Sequence, residues 1–264
     1  MNAIEFDIDA YLRRINYTGK IAPTLESLKT LHHAQLYTIP FENFDIQLGR
    51  GIDLSPGAIS EKLVQRRRGG YCFELNGLFL MALKTFGFAA RPLLARVHVT
   101  GTPTGRGHQI ELITMNGTQW IADVGFGGDT PRVPIPLKLN QSTIHDGQQI
   151  RLVESDHFGI ILQTLKEDHW KDLYSFDMVY VCQADIEYGN HFTSTHPSSI
   201  FTYNRIAALP SETGLITIYY KTLQKTIAGE NIVRELVEGQ PYLDALKSQL
   251  GIELSEPSET LRPR

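Results

Sequence analysis

Cysteine is scarce: Cys72 and Cys182 are the only two in 264 residues, so no disulfide framework staples this chain and a reducing compartment suits it. Long apolar runs are missing too. No stretch approaches the roughly 18 uninterrupted apolar residues of a membrane span, and Met1 to Asp9 lacks the basic start and continuous apolar stretch of a secretory signal. A cytoplasmic protein with no membrane partner is expected. Positive charge is not in excess either. Twenty-five Lys and Arg stand against 29 Asp and Glu, a net charge of -4, so nothing in the balance calls for nucleic acid as a partner. The single dense basic run, Arg66-Arg67-Arg68, reads as a solvated helix end. No histidine has metal-ligand spacing with Cys182: His32 and His33 fall within a predicted helix, and His196 precedes a proline. A metal site is therefore not expected. Internal repeats and low-complexity tracts are likewise missing, and the length suits two or three compact units.

What is present changes character along the chain. Up to about residue 87 the pattern is helical. Ile8, Tyr11, Leu12 and Ile15 share one helical face that Asp7 or Asp9 caps, Leu25, Leu28 and Leu31 mark a second helix after Pro23, and Ser55-Pro56 opens a third. From 88 to about 190 the segments 92–99, 109–114, 119–124 and 150–162 are rich in Val, Ile, Leu and Thr between Gly, Pro and Asn, which predicts a sheet or small barrel. From 191 to 264 a strand at 215–220 and a helix at 242–250, started by Pro241 and ended by Gly251, predict a smaller α/β part. The polar stretch 255–264, with two prolines, predicts a loose tail. The expected fold class is α+β: a helical bundle over 1–87, a β-barrel over 88–190 and an α/β segment over 191–264.

The candidate nucleophile lies where a glycine-broken basic loop enters a strongly patterned helix. After Arg68-Gly69-Gly70-Tyr71-Cys72, the apolar residues Leu75, Leu78, Phe79, Ala82, Leu83 and Phe86 follow helical spacing until Gly87. Cys72 then sits in the first turn, where free backbone N–H groups and the positive end of the helix dipole favour an anion. Taken alone, a free cysteine is more often a small buried hydrophobe.

A base and its orienting partner come from one hairpin. Asn116-Gly117 suits a two-residue type I′ turn, which sets Met115 opposite Thr118 and Ile110 opposite Asp123. His108 and Asp123 then share a face with Ile110, Leu112 and Ile121 as diagonal neighbours, turned toward an apolar interior. A register slip of one residue would put them on opposite faces. With Cys72, the pair predicts a Cys-His-Asp triad in which Asp123 holds the imidazole and His108 serves the nucleophile.

The stretch Arg68-Gly69-Gly70-Tyr71-Cys72-Phe73-Glu74-Leu75-Asn76 resembles the signature of the arylamine N-acetyltransferases. Further matches follow in chain order at Pro40-Phe41-Glu42-Asn43, His108, Asp123-Val124-Gly125-Phe126-Gly127 and the segment 194–201. The resemblance implies a helical bundle, a β-barrel and an α/β lid around a cysteine-protease-like core. It also implies ping-pong transfer of acetyl from acetyl-CoA through Cys72 to an arylamine, hydrazine or arylhydroxylamine. By the same resemblance Phe41 and Phe126 line the acceptor pocket and Thr104-Gly105 borders the coenzyme A path. From sequence alone, core packing explains both phenylalanines and a turn explains Gly105. The long insertion of vertebrate members between the second and third parts is not found, as in bacterial members. Two other readings fit a triad or its scaffold: a papain- or transglutaminase-like amide hydrolase, and a binding protein that handles no acyl group. The flanking motifs show no resemblance to a protease, and an intact triad argues against a binding protein on the same fold.

Overall fold

The computed structural model describes residues 6–262. The expectation about Met1 to Asp9 thus falls in part, at residues 1–5, outside the described residues. Helix α1 (Ile8–Arg14) is capped by Asp7, whose side chain accepts from Ala10 N, and it buries Tyr11 and Ile15. It stops before Gly19, because Asn16 takes a left-handed φ of 54°. Helix α2 (Leu25–Leu36) is capped by Thr24. Strand β1 (Phe41–Glu42) and the short α3 (Phe44–Gln47) lead to α4 (Pro56–Ser60), with Ser55 as N-cap and Pro56 at the first position, which runs on into a π turn, Glu61–Gln65.

Helix α5 (Cys72–Thr85) is the centre of the molecule. Its expected stripe is buried throughout: Leu75, Leu78, Phe79, Ala82, Leu83 and Phe86. Each large member contributes roughly 1.5–3 kcal/mol by leaving water. Gly87, at φ 84°, turns the chain off the helix into the barrel.

The barrel is an antiparallel array of eight strands: β2 (Ala89–Val97), β3 (Arg106–Met115), β4 (Thr118–Ala122), β5 (Ile135–Pro136), β6 (Ser142–His145), β7 (Gln148–Ser155), β8 (Gly159–Lys166) and β9 (His169–Phe176). Their spatial order is β5-β4-β3-β2-β9-β8-β7-β6. The register at the Asn116-Gly117 turn is the expected one from Met115 opposite Thr118 to Glu111 opposite Ala122, with φ of 50° and 75° at the two turn residues, but β4 ends there and the expected pair of Ile110 with Asp123 is not formed. The expected single strand over 150–162 is instead parts of β7 and β8, folded back around residues 156–158. Helix α5 lies against β2 and β3.

Helices α6 (Gln183–Thr195) and α7 (Ile200–Tyr203) precede a second antiparallel sheet of β10 (Ile206–Ser211), β11 (Gly214–Tyr219), β12 (Thr222–Ile227) and β13 (Glu230–Glu235), backed by α8 (Gln240–Leu250). Strand β1 completes this sheet beside β10, Phe41 opposite Ala208, so the N-terminal helices are stitched to the C-terminal segment. Gly251 ends α8 in the left-handed conformation, as its sequence position suggests.

Two expectations need correction. The stretch 255–262 is not loose: it carries a short 3-10 turn, Ser258–Thr260, buries Ser258 and Leu261, and donates from Arg262 N to Gln47 O. Residues 263 and 264 lie outside the described residues. Arg68 is not solvated. It is 6% exposed and ion-paired through Nη2 with Glu42 at 2.7 Å and Asp45 at 3.5 Å, while Lys62 Nζ bridges Asp45 and Glu74 at 2.8 Å each. Buried charges persist only when paired in this way. The network fastens the segment before Cys72 to β1 and α3. Gly69 and Gly70 let the chain press against residues 40–42. A Cβ on Gly69 would lie 2.2 Å from the Pro40 carbonyl oxygen.

Candidate active site

Cys72 opens α5 and is 4% exposed, with Sγ 3.7 Å from the Gly107 carbonyl oxygen. The helix start is locked by Glu74, whose carboxylate accepts from Tyr71 N at 3.0 Å and pairs with Lys62. This leaves the dipole end and the first N–H groups of α5 beside the thiol.

His108 stands on β3 on the same face as Ile110 and Leu112, and its Nε2 meets Asp123 Oδ2 at 2.8 Å. The Cys72 sulfur lies close enough to the imidazole to favour its charged form, while the hydrogen-bond contact of Sγ is with Gly107 O. Burial pushes the His108 imidazole down, but the Asp123 carboxylate and the Cys72 sulfur outweigh it and raise it to about 10. Asp123 is wholly buried just past the end of β4. Burial pushes its carboxyl up, yet His108, Asn76 and Gly125 N hold it below the usual carboxylate value.

Three further residues fix Asp123, and none was assigned a role from sequence. Asn76, one turn beyond Cys72, donates from Nδ2 to Asp123 Oδ1 at 3.0 Å and to Gln109 O at 2.7 Å, and its Oδ1 accepts from Val124 N at 3.0 Å. Gly125 N donates to Asp123 Oδ1 at 2.8 Å. His32 on α2 meets the Asp123 main-chain carbonyl at 2.8 Å through Nε2. Burial pushes His32 down to about 4, so it is neutral and donates there. The usable signal for Asn76 was a polar residue four positions after Cys72, set among the apolar residues Leu75, Leu78 and Phe79 of α5. Nothing in the sequence marked His32 for this contact.

Aromatic side chains wall the base. The His108 ring lies 4.9 Å from Phe126 and 5.1 Å from Tyr174, whose hydroxyl is buried and kept protonated by burial and by the nearby Asp123 carboxylate. Phe41 is buried and its ring faces Phe201 at 5.9 Å. A Cβ on Gly127 would come within 3.8 Å of Phe41, whereas Phe126 packs with the barrel core. Thr104 and Gly105 are exposed in the loop before β3; Thr104 Oγ1 accepts from Val97 N at 3.0 Å and donates to Gly105 O at 2.8 Å. Helix α6 packs against β3 beside this loop, where a Cβ on Gly107 would meet Thr193 Oγ1 at 2.9 Å and one on Gly189 would meet the Phe73 ring at 2.8 Å.

Cys182 is exposed and is the N-cap of α6, not part of a β segment as expected. Among the described residues no group of three or more His, Cys, Asp or Glu could hold a metal, and no helix is long and apolar enough to cross a membrane.

With a thiol on a helix start, an imidazole beside it and a carboxylate behind, the site has the parts for nucleophilic acyl transfer. Comparison with known proteins agrees. An N-acetyltransferase family model matches residues 24–259. The arylamine N-acetyltransferase / N-hydroxyarylamine O-acetyltransferase of Salmonella typhimurium is 42% identical over 202 residues, covering 75% of this chain and 70% of that one. The arylamine N-acetyltransferase of Mycobacterium bovis is 36% identical over 262 residues, covering 96% and 92%. The structure of Mycobacterium marinum arylamine N-acetyltransferase in complex with CoA superposes with a TM-score of 0.90 at 33% identity, covering 97% of each chain. This chain belongs to the arylamine N-acetyltransferase family.

Proposed function

We propose that the chain moves an acetyl group from acetyl-CoA to an arylamine, hydrazine or arylhydroxylamine through a thioester on Cys72. The observation that carries this reading is the buried cluster of Cys72, His108 and Asp123, in which His108 Nε2 is bonded to Asp123 and the Cys72 sulfur is near enough to raise the imidazole. His108 takes the thiol proton and the thiolate attacks the acetyl carbonyl. Collapse of the tetrahedral intermediate breaks the bond to coenzyme A, whose sulfur leaves with the proton from His108. The amine then attacks the Cys72 thioester, gives its proton to His108, and the Cys72 sulfur departs. Free N–H groups at the start of α5 stabilise the oxyanion; Val124 N and Gly125 N are already engaged by Asn76 and Asp123 and do not serve.

Phe41 and Phe126 supply the aromatic wall for the acceptor, and Thr104-Gly105 borders the path of coenzyme A. The segment from residue 191 acts as a lid that keeps water from the thioester. A reducing, cytoplasmic setting accords with two unpaired cysteines, one of them the nucleophile. Initial rates measured over a grid of acetyl-CoA and arylamine concentrations test the scheme. Parallel double-reciprocal lines are expected, and intersecting lines would replace the thioester route with direct transfer in a ternary complex. Repeating the grid with propionyl- and malonyl-CoA and with hydrazines ranks donors and acceptors.

A further inference from the structure

We infer that β13 is the contact surface for a second copy of this chain, joined edge to edge with its own β13 in one antiparallel register. Strand β13 is the last strand of its sheet, and all six of its residues are exposed, including Ile232 at 56% and Val233 at 61%. A free edge of that length presents unpaired N–H and C=O groups and is a template for another strand.

The backbone restricts which registers are open. The hairpin between β12 and β13 turns on Ala228-Gly229, both at positive φ, and sets Ile227 opposite Glu230. In a two-residue hairpin that flanking pair is hydrogen-bonded and the pairs then alternate. Glu230, Ile232 and Arg234 therefore direct their main-chain groups toward β12. Leu236, two residues further, follows the same phase and donates to Lys221 O at 2.8 Å. Asn231, Val233 and Glu235 direct theirs outward. A second β13 can bond only by matching outward residues with outward residues.

Of the symmetric registers that satisfy this rule, one also satisfies the charges. With Asn231 opposite Val233 of the second copy, Glu230 falls opposite Arg234, Arg234 opposite Glu230, and Ile232 opposite Ile232. All these side-chain pairs lie on the face that carries Leu223 and Leu236 into the core with α8. They occupy non-hydrogen-bonded positions, where cross-strand side chains approach most closely. Shifting the register by one repeat centres Val233 on Val233 and sets Arg234 against Ile232 and Glu235 against Asn231, leaving no ion pair. Charged residues on an edge ordinarily repel a second strand; the order Glu230, Ile232, Arg234 is instead complementary to itself when reversed. The association joins two five-stranded sheets into one of ten strands across a contact smaller than a stable dimer needs, so it is a weak, concentration-dependent one.

Sedimentation velocity of the full chain from about 10 µM to about 1 mM reads the association. Wild type is expected to shift from monomer toward dimer across that range. Val233→Pro removes an outward N–H while leaving the bonds to β12, and it is expected to stay monomeric with an unchanged circular dichroism spectrum. Glu230→Arg and Arg234→Glu should each be monomeric alone, yet form a mixed dimer when combined, because every facing pair is then opposite in charge. A wild type that is monomeric throughout, a dimer that survives Val233→Pro, or a mixture of the two charge variants that fails to associate would overturn the inference.

Discussion

Asn76 and Asp123 are joined at 3.0 Å, so the helix that carries Cys72 and the carboxylate bonded to His108 form one unit. The same amide also holds β3 through Gln109 O and the chain after Asp123 through Val124 N. Cys72 and His108 arrive from different parts of the chain, and this side chain ties their elements together.

Replacing Asn76 with Ala would leave Gln109 O and Val124 N buried without partners, each an expensive loss. A destabilisation of about 2–4 kcal/mol is expected in urea unfolding, with transfer falling more than the folded fraction does. Full activity in the folded variant would show that the brace does not position the triad.

Gly125 explains its own place by contact. A Cβ there would sit 2.8 Å from Asn76 Nδ2 and 3.0 Å from the Cys72 Cα. Gly125→Ala is expected to cost roughly 1–3 kcal/mol through overpacking and to slow acetylation of Cys72 by displacing it relative to His108. Stopped-flow release of coenzyme A in a single turnover measures that step directly.

For Asp123→Asn the geometry is nearly conserved while the charge that supports the imidazolium is lost. Transfer should fall by about 10⁴-fold, the scale seen when a triad carboxylate becomes an amide. Steady-state rates on the folded variant, checked by circular dichroism, decide this.

Stability should depend on pH with opposite signs for the two buried histidines. His108 is raised in the folded state, so its contribution is fully present below its unfolded value of ~6.5 and fades as pH rises toward about 10. His32 is lowered to about 4, so its contribution is present above ~6.5 and is lost as pH falls toward about 4. Urea midpoints from pH 4 to 10 are therefore expected to show His108→Gln losing stability against wild type chiefly on the acidic side. His32→Gln should be less acid-sensitive than wild type between pH 6.5 and 4. The reverse slopes would place the charges wrongly.

Local patterns carried much of this site. The Asn116-Gly117 turn fixed the hairpin register as far as Glu111 opposite Ala122, and Asp123, just past the paired strand, meets His108 by a side-chain hydrogen bond. The apolar stripe after Cys72 fixed α5, and Ser55-Pro56 and Gly251 marked helix ends correctly. Less legible were elements whose apolar faces are thin. Helix α6 buries only Ile186, Thr193 and Ser194 of its thirteen residues, and β13 buries none. Strands β7 and β8 merged in the sequence because apolar residues flank both sides of a short turn at 156–158. The contacts of Asn76, His32 and Arg68 depend on partners far along the chain, and a one-dimensional pattern does not reveal them.

The most direct measurement is the mass of the enzyme quenched after mixing with acetyl-CoA, followed by peptide mapping and a chase with an arylamine. A single acetyl group on Cys72, absent from Cys72→Ser and removed by the chase as acetylated amine appears, is the expected result. An acetyl group on exposed Cys182 instead, or transfer that proceeds in Cys72→Ser, would contradict the assignment of Cys72 as the nucleophile.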